Sequence, residues 1–177
     1  MAFDAFAYSV SHKGKLLGET QDKDMSDKNA FEILSFELGA ENNINIGSVT
    51  GGGAAGKAVF KEFTVTKKTD NSSTFLFNAL CSGEHIDDLV IELRRAAGAN
   101  AGGKSGITFM KFDMRLVMVQ DISWSGSDGD DVCEETVIFQ FGAIQIHYFA
   151  QDAKGKMASA PKEAMWSRVK NNASLTV

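Results

Sequence analysis

Residues 51–66 read GGGAAGKAVFKEFTVT, and the class of fold turns on how the second half of this stretch follows from the first. Gly51, Gly56 and Lys57 stand at the spacing of the G-x-x-x-x-G-K-[ST] phosphate-binding signature. That signature needs a helix after the loop, whose N-terminal amides and dipole hold the phosphates, and a Ser or Thr hydroxyl to hold magnesium. Here Ala58 follows the lysine, and then Val59, Phe63 and Val65 alternate with Glu62, Thr64 and Thr66 in the two-residue period of a half-buried strand. The glycines therefore read as a long loop between two strands, free to take backbone conformations closed to other residues.

The same period runs along most of the chain. Phe6, Tyr8 and Val10 form one set, and within Phe31–Gly39 the residues Leu34, Phe36 and Leu38 share a face. In DLVIELRR (88–95), Leu89, Ile91 and Leu93 oppose Val90, Glu92 and Arg94, and from Ile107 to Asp121 a long strand sets Met110, Phe112, Met114, Leu116 and Met118 on one side. The Gly/Ala-rich AAGANAGGKSG (96–106) reads as the flexible hairpin tip joining those two strands. From Val132 to Ala150, Val137, Phe139 and Phe141 take one parity while Ile144, Ile146 and Tyr148 take the other. The switch predicts a bulge or sharp bend at Gly142–Ala143, as at a barrel corner. Only DNSSTFLFNALCSG (70–83) has helical character, with Asp70, Ser72 and Ser73 as candidate N-caps, Leu76, Ala79 and Leu80 on one face, and Gly83 as the stop. The expected fold is mainly β: a compact antiparallel barrel or two-sheet barrel with one short α-helix at about 73–82 and a long Gly-rich extended loop at about 46–57.

Composition narrows the function. The 177 residues are 44% hydrophobic and 23% charged, enough to bury a core, and the sequence predicts a single domain over 1–177. A net charge of −5 without a basic patch argues against a nucleic-acid partner. Met1–Val10 lacks the basic and continuous apolar regions of a cleavable signal peptide, and no stretch is apolar for long enough to insert in a membrane, so synthesis in the cytoplasm is expected. Cys81 and Cys133, far apart and without CxxC spacing, read as buried or half-buried free thiols. Asp128-Gly-Asp-Asp131 does not fit a calcium loop and reads as a solvated turn, and His12, His85 and His147 stand at no catalytic or metal-ligand spacing. No enzyme, metal or cofactor is expected, which leaves a binding module or a building block.

Several short stretches then resemble a known family in register: GET at Gly18–Thr20 with Asp22, SFELG at Ser35–Gly39, the GGGAAGK arm, and TKKTDNSSTFL at Thr66–Leu76. CSGEHI at Cys81–Ile86, EETVIFQFGAIQIHY at Glu134–Tyr148 and WSRVKNN at Trp166–Asn172 continue the series, and the chain resembles Hcp, the haemolysin-coregulated tube protein of bacterial type VI secretion, over nearly its whole length. The resemblance implies a barrel flanked by a helix, assembled as hexameric rings that stack into an inner tube. The contractile sheath, a spike protein at the tip and small effectors in the lumen would be its partners, and the type VI apparatus would export it into a target cell or the surroundings. On that implication the ring-stacking arm comprises Ile46, Gly47, Ser48, Val49, Thr50, Gly51, Gly52, Gly53, Ala54, Ala55, Gly56 and Lys57, and Glu37 faces the lumen. The rival expectations are a monomeric all-β ligand-binding module and a nucleotide-dependent enzyme using Lys57. Mass in solution separates the first from the tube reading.

Overall fold

The computed structural model describes residues 3–45, 54–96, 105–151 and 160–177. Among them the elements run β1 (Asp4–Tyr8), β2 (Phe31–Ile33), β3 (Ser35–Glu37), β4 (Ala40–Asn45), β5 (Ala54–Phe60), β6 (Phe63–Lys68), α1 (Asn71–Ser82), β7 (Ile86–Ala96), β8 (Gly106–Ser125), β9 (Glu134–Tyr148) and β10 (Lys162–Ser167). One antiparallel sheet takes the order β2-β1-β7-β8-β9-β6-β3, with β10 also paired to β9, while β4 and β5 form a separate two-stranded sheet.

The large sheet curls until its first and last strands are neighbours in the chain. β2 pairs with β1 and β3 with β6, and the amide of Leu34, the residue between them, donates to Thr66 O at 2.7 Å. The result is a nearly closed barrel, which hides most of the sheet edges that would otherwise invite pairing with other chains. Phe31–Gly39 is thus two short strands rather than one. Phe31 and Ile33 point inward before the break, Phe36 packs against the core after it, and Leu34 is left half exposed.

Aromatic rings fill the interior. Phe63 stacks on Phe139 at 6.1 Å, and Phe36 meets Phe63 and Phe112 at 6.3 and 6.1 Å. Each fully buried ring contributes roughly 1.5–3 kcal/mol of apolar burial. Leu76 and Ala79 of α1 close one side of this core. The helix starts at Asn71, two residues earlier than expected, because Asp70 is its cap: the Asp70 carboxylate accepts from Ser72 N at 3.0 Å, and Ser73 Oγ accepts from Asp70 N at 3.0 Å. Gly83, at φ 69°, ends it.

β7 is buried on both faces. Leu89, Ile91 and Leu93 face the barrel, whereas Asp88, Val90, Glu92 and Arg94 lie beneath the segment at 9–30, with Phe6, Tyr8, Met25 and Ala30 packed beside Val90. Every charge under that cover has a partner. Asp88 accepts from the amides of Val10 and Ser11, Lys28 pairs with Glu92 at 2.8 Å, and Arg94 pairs with Asp22 and Asp24 at 2.8 and 2.6 Å. Hydrogen bonds from Arg94 and Ser105 hold the Asp24 carboxyl at about 2. Burial, reinforced by the Glu92 carboxylate, pushes the Tyr8 phenol far above its ordinary value. The cover is close enough at Gly18 to exclude a side chain, since a Cβ there would lie 2.2 Å from the backbone of Ala30.

The corner expected at Gly142–Ala143 exists, but without a bulge in β9. The β8–β9 pairing holds one register from Met110↔Tyr148 to Val119↔Phe139, and its only shift lies between Val119 and Asp121. Buried residues change parity on both strands together, from Phe112 and Met114 to Val117 and Val119 on β8, and from Ile144 to Phe141 and Phe139 on β9. The irregular backbone belongs to Leu116, at φ 51°, which lies across from Gly142. A Cβ on Gly142 would come within 3.1 Å of Leu116 Cβ. Leu116 and Met118 therefore leave the side they were expected to share with Met114, and Met118 is 42% exposed.

Candidate assembly surface

β4 and β5 form a ribbon whose surroundings are mostly solvent. Ala40 through Ile44 are exposed without alternation, so both faces of β4 are open, and Ile44 and Val59 remain 60% and 50% exposed. An isolated two-stranded ribbon is marginal in water, and apolar side chains held out on one suit a protein contact. Of the proposed arm residues, Ile46–Gly53 lie outside the described residues, while Ala54, Ala55, Gly56 and Lys57 belong to β5. Lys57 thus sits within a strand, not at the start of a helix, which removes the geometry that a phosphate cradle requires. Gly56 has a different reason to be glycine: a Cβ there would lie 2.6 Å from Asn43 O, at the register shift of β4 against β5.

The ribbon is braced where it leaves the barrel. Lys61 N donates to Gly39 O at 2.8 Å, and Phe60 meets Phe141 edge-on at 5.8 Å. The Arg168 guanidinium lies over both rings, 5.9 Å from Phe60 and 5.2 Å from Phe141, and donates to Gln140 Oε1 and Phe141 O at 2.9 Å. Gln140 donates in turn to Gln120 Oε1, and Gln120 to Glu62, just beyond the ribbon's end. Between ribbon and barrel lies an open groove of about 500 Å³, with Leu116, Met118 and Phe141 on the barrel side and Val59 and Phe60 on the ribbon. Lys57 and Arg168 supply its charges.

Glu37 ends β3 across from Thr64 and is exposed. It lies on the barrel wall, apart from the ribbon's own sheet. The thiols of Cys81 and Cys133 are both free and both exposed, contrary to the expectation of burial, because Cys81 falls on the outer side of α1 and Cys133 follows the β8–β9 turn. Asp128, Asp130 and Asp131 form that turn and are exposed, as expected.

Besides the charges beneath residues 9–30, sequence reasoning missed two more polar clusters. Lys67 is fully buried, and its ammonium donates to Glu135 Oε1, Asp70 Oδ1 and Lys68 O, each at 2.8 Å, and to Ser73 Oγ at 3.1 Å. The signal was present in the alternation, since Lys67 continues the inward parity of Phe63 and Val65, and Glu135 that of Val137 and Phe139. This Ser–Lys–Glu group has no solvent access and fastens α1 to the barrel. His147 lies between Asp113, 2.7 Å from Nε2, and Glu163, 3.0 Å from Nδ1, and links β10 to β9 and β8. Among the described residues no three His, Cys, Asp or Glu side chains converge as metal ligands would, and no helix is long and apolar enough to cross a membrane.

Comparison with known proteins places these features in a family context. A family model described as type VI secretion system effector, Hcp, matches residues 10–148. The protein Hcp1 of Pseudomonas aeruginosa is 28% identical over 111 residues, a stretch covering 63% of this chain and 65% of that protein, just under two thirds of its length. A solved structure of a type six secretion system protein superposes with a TM-score of 0.84 at 29% identity, over 98% of this chain and 100% of that one. Hcp1 from Salmonella typhimurium shares the fold, with a TM-score of 0.69 at 24% identity over 98% and 99% of the two chains.

Proposed function

This chain belongs to the Hcp family of type VI secretion, and we propose that it is the structural subunit of the inner tube, with residues 1–177 acting as one unit. Copies close into hexameric rings, and the rings stack through the arm at 46–57. Small effectors travel in the lumen, toward which Glu37 points. The sheath surrounds the tube, the spike protein caps it, and the protein leaves the cytoplasm through this apparatus.

The observation that carries the reading is the β4–β5 ribbon, a separate two-stranded sheet held off the barrel with Ile44 and Val59 in solvent. In a monomer the ribbon leaves Ile44 and Val59 in water, whereas a repeating contact between copies would bury them. Light scattering coupled to size exclusion tests the claim, because six copies of the 19.1 kDa chain weigh about 115 kDa. Six-fold rings in electron micrographs are expected beside that mass. A single species at 19.1 kDa at every concentration would refute the tube and favour the monomeric binding module, with the groove under the ribbon as its ligand site.

A further inference from the structure

The groove under the ribbon and the β8–β9 turn have complementary chemistry. Val59, Leu116, Met118 and Val169 make the groove apolar, and its charged members are Lys57 and Arg168. Neither cation is in an ion pair among the described residues, and Arg168 spends its hydrogen bonds on the neutral oxygens of Gln140 and Phe141. The turn offers the opposite. Asp128, Asp130 and Asp131 are exposed there, followed by Val132, 47% exposed, and no ion pair among the described residues engages the three carboxylates. It is also pre-shaped, with Ser125 paired to Glu134 at its base and Ser127 N donating to Asp130 Oδ2 at 2.8 Å.

We propose that the groove of one copy receives the acidic turn of a second copy, Val132 entering among the apolar residues while Asp128 and Asp131 face Lys57 and Arg168. The turn sits too far along its own hairpin to fill its own groove: Glu134, where it joins β9, is six residues along a paired strand from Gln140 on the groove's rim, roughly 20 Å. Because the two surfaces differ, the contact is heterologous, and repeating it gives a closed ring or a continuing stack instead of an isolated pair. The proposal rests on the tube reading and names one of the contacts by which copies would join.

Charge reversal tests it. One set, Lys57→Glu, alters the groove at an exposed strand position and leaves the Arg168 brace untouched; the other, Asp128→Lys, alters the turn opposite Lys57 while leaving Asp131 to Arg168 and sparing the internal bond of Asp130. Each set alone is expected to raise the concentration needed for assembly by about tenfold or more, since like charges brought together at an interface are costly. Combining the two sets in one chain restores assembly, and added salt weakens the wild-type contact. Thermal melts that match wild type show that the barrel remains folded in each variant. Assembly unchanged in both single sets, or a combined chain no better than either, overturns this contact while leaving the tube standing. Wild-type protein that stays monomeric overturns both.

Discussion

Lys67 shows how much one side chain can hold together. Its ammonium, fully buried, meets four oxygens drawn from β6, the helix cap, α1 and β9, and the Glu135 carboxylate also accepts from the Trp124 indole at 2.7 Å. Replacing both charges of such a pair with apolar groups is often tolerated, but removing one leaves the other stranded without water. Lys67→Met is therefore expected to destabilise the fold by about 3–5 kcal/mol, and Lys67→Met with Glu135→Leu by clearly less. Urea titrations followed by Trp fluorescence would measure both; equal losses would mean that the ion pair itself holds the helix. The sequence displays both residues at inward parity, yet parity cannot say that Lys67 and Glu135 lie opposite each other across β6 and β9. Gly18 is similar: the GET stretch marks it, and only the path of the chain at Ala30 explains it.

Elements are legible where their chemistry is local and obscure where it is not. The helix follows from Asp70, Ser73 and Gly83, all within a few residues of one another, so only its first turn shifted. The hairpin of β8 and β9 follows from alternation, but apolar residues occupy both parities from Met114 to Val119, and the corner at Leu116 is invisible in that run. The split at Leu34 depends on Thr66, a partner more than thirty positions away. The ribbon's attachment was likewise hidden, because Arg168 reaches it from the far end of the chain. Arg168→Ala removes the cation from above Phe60 and Phe141 and both of its hydrogen bonds to β9. Amides of β4 and β5 are expected to exchange with deuterium about tenfold faster in that variant, with the barrel strands β7 and β8 unchanged. Exchange raised equally throughout would make Arg168 a general stabiliser and not a brace.

At the scale of the whole molecule, closure by β2 and β3 leaves few edges on the large sheet, so the ribbon, a separate two-stranded sheet among the described residues, stands out as a surface for contact. The mainly β character and the one α-helix of the described residues could be read from alternation and caps, whereas the groove under the ribbon draws its lining from four distant parts of the chain. The placement of the two thiols gives the molecule a chemical clock. Thr69 N donates to Cys133 O at 3.0 Å, fixing the backbone at the foot of the acidic turn while the residue stays exposed, and Cys81 is exposed on α1. In dilute protein both are open to alkylation, and the ratio of their rates there sets the baseline. As concentration rises, Cys133 should slow if the turn becomes enclosed, and the ratio of the two rates, read by mass spectrometry, then reports how much of the protein has found a neighbour.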